Sequence, residues 1–200
     1  MLAKSSKAVV GKLAPASSVL FVCDIQEIFR ERIYEMPSVI SGANTLVQAA
    51  KLLDLPTVAT TQYQARFGNT VPEVGLPATL KVYDKTLFSM LTPDVQTELA
   101  ILQPKSVILC GIESHVCVLQ TGLDLLEAGY EVHVPVDAVS SSTSFLRTMG
   151  LERLKASGAY LTSVESIVFQ LTADSKHTNF RAISNLIKAH TTAPKGLSHL

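Results

Sequence analysis

Short apolar runs rich in β-branched residues alternate along this chain with longer segments in which apolar positions recur every three or four residues. The runs at 18–24, 57–61, 106–111, 131–136 and 160–162 read as strands, each stopping on polar residues or glycine. Helical spacing covers 40–53, 93–102, 116–128, 143–156 and 179–189, with a further short helix after Val164. Gly129 and Gly158 stand where a helix end takes a left-handed residue. Residues 68–91, broken by Pro72, Gly75 and Pro77, are the least regular part and are expected to loop over a sheet edge. Alternating strands and helices predict an α/β fold, doubly wound in three layers, α/β/α, around a largely parallel sheet covered on both faces.

Composition narrows this picture. A chain of 200 residues that is 47% hydrophobic and 17% charged has apolar material for one full core, which rules out disorder as its main state. No linker or repeat divides it, so one domain is expected over 18–190, with a flexible lead-in at 1–17 and a tail at 191–200. Seventeen basic residues balance seventeen acidic ones, so no global field draws the protein to nucleic acid or to an anionic membrane. No apolar run is long enough to span a bilayer. Three cysteines and no secretory signal predict reduced thiols inside a cell, in the cytoplasm or in a peroxisome-type organelle. The second location is suggested by the terminal Ser198-His199-Leu200, a near relative of Ser-Lys-Leu. Lys4, Lys7 and Lys12 fit a mitochondrial presequence less well than a frayed lead-in.

In parallel sheets of this kind ligands bind beyond the carboxyl ends of the strands, which places Asp24, Gln62 and the segment from Gly111 to Cys117 near one rim. The glycines form no G-x-G and no phosphate-binding loop, so nucleotide readings fall away. Cys117 opens a helix, where the positive end of the dipole faces its sulfur and first-turn N–H groups stand ready for a developing oxyanion. A small buried packing residue is the competing reading, and it is retained for Cys23 and Cys110 inside strands. Asp24 either caps the following loop or accepts a proton from a thiol. Lys85 alone would pass for solvated surface. His115, two residues before Cys117, does not share a helix face with it.

Asp24 in Cys23-Asp24-Ile25-Gln26, Lys85 in Lys85-Thr86-Leu87-Phe88-Ser89, and Cys117 in Gly111-Ile112-Glu113-Ser114-His115-Val116-Cys117-Val118 occur in matching order and strand context. In these the chain resembles the isochorismatase-like cysteine hydrolase family, in its isochorismatase domain-containing branch. The resemblance implies a six-stranded sheet and an Asp24–Lys85–Cys117 triad in which Cys117 attacks an amide-like carbonyl and forms a thioester. It further implies a cis peptide between Ile112 and Glu113 that helps aim a backbone N–H, with that of Cys117, at the oxyanion. Nicotinamidase relatives hold a metal through Asp-x-His after the second strand. The segment from Thr60 to Gly68 contains neither histidine nor carboxylate, so no metal and no cofactor is expected. Gln26, Phe29, Gln62, Tyr63 and Phe88 are candidate contacts for a small-molecule substrate, and self-association as a dimer or tetramer is expected. The function so implied is a metal-independent hydrolase of a small amide or related C–N bond. The alternatives are a hydrolase of another small substrate class and a non-catalytic binder or scaffold on the same fold.

Overall fold

The computed structural model describes residues 10–192 and 196–197, so the first nine residues of the lead-in and the Ser198-His199-Leu200 signal lie outside the described residues. Its strands are β1 (Ser18–Cys23), β2 (Thr57–Gln62), β3 (Val82–Lys85), β4 (Ser106–Ile112), β5 (Glu131–Pro135), β6 (Val139–Ser140) and β7 (Tyr160–Thr162). Its α-helices are α1 (Met36–Leu52), α2 (Gln64–Phe67), α3 (Pro93–Leu102), α4 (Cys117–Glu127), α5 (Ser144–Ala156), α6 (Val164–Thr172) and α7 (Phe180–Thr192). The strands pair in parallel in the order β3-β2-β1-β4-β5-β7, and β6 adds to β4 through Gly111 and Ile112.

Every residue of β1, β4 and β5 is buried, as a sheet with helices on both faces requires. Alternate side chains then divide between two cores. Leu20 and Val22 of β1, with Ile108, Cys110 and Ile112 of β4, pack among residues of α1, α6 and α7. Val19, Phe21 and Cys23, with Val107 and Leu109, pack among residues of α3, α4 and α5. The hydroxyl oxygens of Thr92, Thr143 and Ser163 accept hydrogen bonds from first-turn N–H groups and so cap α3, α5 and α6.

Three features depart from the sequence expectation. The sheet has seven strands, the extra one being the two-residue β6, too short to leave a pattern. Residues 68–91 are also not all loop, because they contain β3, an edge strand whose alternation is borne by a buried Tyr83 and a buried Lys85 between exposed Val82 and Asp84. A tyrosine and a lysine facing inward do not register as an apolar period. Helix α1 starts four residues earlier than expected, at Met36, with Pro37 in its first turn.

The strand order reverses between β1 and β4: the chain runs outward from β1 to β2 and β3, then returns to β4 and continues the other way. The ends of these two strands flank the crevice where ligands bind in doubly wound sheets.

Candidate active site

Asp24 follows β1 in the left-handed region, at φ 50°, a conformation aspartate tolerates better than most residues. Only 2% exposed, it accepts a hydrogen bond from Thr60 Oγ1 on Oδ1 at 2.7 Å and an ion-pair contact from Lys85 Nζ on Oδ2 at 2.7 Å. Lys85 ends the edge strand and reaches across the end of β2. Its ammonium also meets Gln62 Oε1 at 2.7 Å and the carbonyls of Phe88 and Leu87 at 3.0 and 3.1 Å. Burial pulls the Lys85 ammonium toward neutrality, but Cys23, Asp24 and Cys117 outweigh it and raise its pKa, so the amine stays charged.

Cys117 is the first residue of α4, a helix that starts without a side-chain cap. The preceding loop is fastened from behind. Ser114 N–H donates to Ser140 O at 2.8 Å, and the Ser142 N–H donates to Glu113 Oε2 at 2.8 Å. Ser114 Oγ and Ser141 Oγ are 2.6 Å apart, and His115 Nδ1 meets the same Ser141 Oγ at 2.9 Å. The Ile112–Glu113 peptide is cis. Gly111, at φ 117°, admits no side chain, since a Cβ there would lie 2.1 Å from the Cys23 carbonyl oxygen. This close approach of β4 to β1 brings the two strand ends together.

Asp24, Gln62 and Cys117 line one cavity of about 130 Å³, whose other walls are Phe29, Phe67, Phe88, Ile112, Glu113 and Val116. Clefts of about 440 and 500 Å³ occur elsewhere, but neither holds a thiol. Of the candidate contacts, Phe29, Gln62 and Phe88 face the cavity and two others do not. Gln26 is fully buried and its amide closes the backbone, donating to Gln62 O and Gly68 O at 3.1 and 2.7 Å and accepting from Gln62 N–H at 2.7 Å. Tyr63 is 47% exposed and packs edge-on against Phe67, outside the lining.

Sequence reasoning passed over Phe67. It lies on the one-turn α2, whose start is held by Gln64 N–H donating to Asp84 Oδ1 at 2.7 Å, and four residues are too few to show a period. Cys23 was read only as packing, but its thiol donates to Asp24 Oδ2 at 3.5 Å and adjoins Cys117. Burial first, then the hydrogen bond with Cys117 and the Asp24 carboxylate, push the Cys23 pKa well up, so it persists as a thiol. Burial likewise pushes Cys110 up to about 12. Among the described residues, no group of three or more His, Cys, Asp or Glu side chains is placed to hold a metal ion, and no helix is long and apolar enough to cross a membrane.

A buried carboxylate–ammonium pair and a helix-opening thiol, gathered at the switch point of a parallel sheet beside a small cavity, define the class of this protein as a doubly wound α/β domain. The isochorismatase domain model matches residues 18–166, and the chain belongs to that family. It is 56% identical to the secreted isochorismatase effector Isc1 of Phytophthora sojae, over 94% of this chain and 92% of the relative. It is 47% identical to isochorismatase domain-containing protein 2 of Xenopus laevis, over 89% and 87%. Among solved structures, the MAR1 ribonuclease from Caenorhabditis elegans superposes with a TM-score of 0.88 at 42% identity, covering 94% of this chain and 98% of its own.

Proposed function

We propose that this protein is a metal-independent cysteine hydrolase that cleaves a small carboxamide or related C–N bond through a Cys117 thioester. Asp24 and Cys117 line one cavity, with Lys85 paired to Asp24 behind its wall, and this arrangement carries the reading. Asp24 takes the thiol proton, and the Cys117 sulfur attacks the carbonyl carbon. The resulting oxyanion is received by the amino end of α4, at Cys117, and by backbone beside the Ile112–Glu113 peptide. Collapse of the intermediate breaks the C–N bond, and Asp24 returns the proton to the leaving amine. Water then adds to the thioester with Asp24 as base, releasing the carboxylic acid and restoring the thiol. Lys85 holds the carboxylate in place and keeps its charge balanced through both steps.

Balanced overall charge and the small cavity support a small-molecule substrate over nucleic acid, although the nematode relative is named a ribonuclease. Exposed Phe145 and Met149, one turn apart on α5, are the kind of apolar surface that self-association would cover. Ammonia release across a panel of small amides, with mass detection of an acylated Cys117, tests the proposal. Wild type is expected to turn over at least one amide and Cys117→Ala none. Equal behaviour of the two proteins across the panel, or Cys117-independent cleavage of RNA, would overturn it.

A further inference from the structure

The charge of the cavity constrains what can enter it. Its apolar walls are phenyl rings and branched aliphatic side chains, with Phe29 and Phe67 inclined at 51° and 5.5 Å between centroids. At about 130 Å³ it is well below the roughly 300–1,000 Å³ of sites that take drug-sized ligands. Two of its polar groups, Asp24 and Glu113, are carboxylates. The amide of Gln62 is engaged at both ends, donating to Thr86 O at 2.9 Å and accepting from Lys85.

Among the described residues, no cation lines the cavity free to receive an anion. The Lys85 ammonium is fully buried behind Asp24 and Gln62, with four oxygens within 3.1 Å for its three N–H bonds. Arg66 is exposed and lies over the Phe67 ring, 5.4 Å from its centroid, outside the lining. Arg30 is paired with Glu27 and Glu73, and the His115 ring is turned to Ser141. A carboxylate on the acyl group would lose its water, gain no cationic partner and face the Glu113 carboxylate beside an Asp24 already paired with Lys85, which is unfavourable. An uncharged hydrocarbon group can pack against the phenyl and branched aliphatic walls without losing a charge's hydration.

Resting on the cysteine-hydrolase reading, we infer that the acyl part of the substrate is small, uncharged and apolar, and that acyl groups bearing a carboxylate are rejected. Isochorismate, the dicarboxylate for which the family is named, is therefore not a substrate that this cavity accommodates. Specificity rests on the phenyl walls supplied by Phe67 and Phe88, together with the commitment of Lys85 to Asp24.

Iodoacetamide and iodoacetate, which present the same electrophile with and without a negative charge, test the inference without needing turnover. Their alkylation rates at Cys117, followed by peptide mass spectrometry, are compared with their rates on free cysteine at the same pH. Iodoacetamide is expected to be favoured at Cys117 by at least tenfold more than on free cysteine. In the same assay 4-methylpentanamide should protect Cys117, while succinamate, its counterpart with a carboxylate in place of the isopropyl group, should not. Phe67→Arg, which places a cation in the wall, is expected to bring the rate ratio back toward that of free cysteine. Phe88→Arg, at a half-exposed position, is the second variant should the first fold poorly.

A ratio equal to that of free cysteine, or equal protection by the two amides, overturns the inference and leaves the hydrolase reading intact. Selective, charge-sensitive alkylation without hydrolysis of any amide supports the exclusion of anions from the cavity and overturns the hydrolase reading on which the acyl assignment rests. If neither reagent reaches Cys117, both fail.

Discussion

Replacing Lys85 with methionine tests how the buried pair supports the fold, apart from any role in chemistry. At 2.7 Å, and with an effective dielectric constant of about 20, the Asp24–Lys85 attraction is roughly 6 kcal/mol. Several kcal/mol of lost hydration per ion oppose it, so the intact pair contributes little net stability. Removing one partner is different, because the remaining charge stays buried without compensation. Lys85→Met leaves the Asp24 carboxylate with the Thr60 hydroxyl and the weak Cys23 thiol donor, and is expected to cost about 3–5 kcal/mol. Asp24→Asn strands the ammonium on Gln62 and two carbonyls, at a similar cost. The double variant buries no charge, so it should fall short of the summed single losses by about 3 kcal/mol. Urea unfolding of the four proteins at neutral pH, fitted with a common slope, gives the cycle. Additivity within about 0.5 kcal/mol would show that the two charges are not coupled and would refute the reasoning. Activity is expected to be lost in all three variants, so only the stability cycle separates structural pairing from catalysis.

Two further outcomes follow from burial and backbone geometry. Burial lowers the His133 pKa to about 4, with its Nε2 lacking a hydrogen-bond partner and its ring stacked on Tyr160 at 4.9 Å. The unfolded chain therefore binds a proton near its ordinary pKa of about 6.5 that the folded protein refuses, so stability is lost as pH falls from about 6.5 toward 4. Between pH 7.5 and 4.5 this loss is about 2.5 kcal/mol. His133→Phe should show a shallower decline by that amount in urea unfolding, and parallel pH curves would contradict it. Gly111→Ala combines an unfavourable φ of 117° with a Cβ placed 2.1 Å from the Cys23 carbonyl oxygen. It should destabilise by more than about 1 kcal/mol, and an unchanged unfolding midpoint would refute that.

Much of the site was legible before any coordinates. Asp24 directly follows one apolar strand and Cys117 opens the helix after another, where short-range pattern and the rule for parallel sheets both apply. Lys85 and the three-residue combination were legible only through resemblance, because the lysine ends a strand with no apolar period. Phe67 was missed, since one helical turn carries no periodic signal. Gln26 and Tyr63 were placed at the pocket by proximity along the chain, yet one is consumed by backbone groups and the other turns outward.

Periodicity and punctuation thus determine the alternation of strands and helices and the doubly wound class, because they depend on which face of each element must leave water. They do not determine how far β1 and β4 approach, how Lys85 crosses β2 to reach Asp24, or that among the described residues no free cation lines the cavity. Those properties belong to contacts between residues distant in sequence, made when the sheet closes around Gly111 and the ammonium takes its four oxygen partners. Tertiary packing therefore decided the charge and size of the space beside Cys117, and with them the chemistry of what the protein can admit.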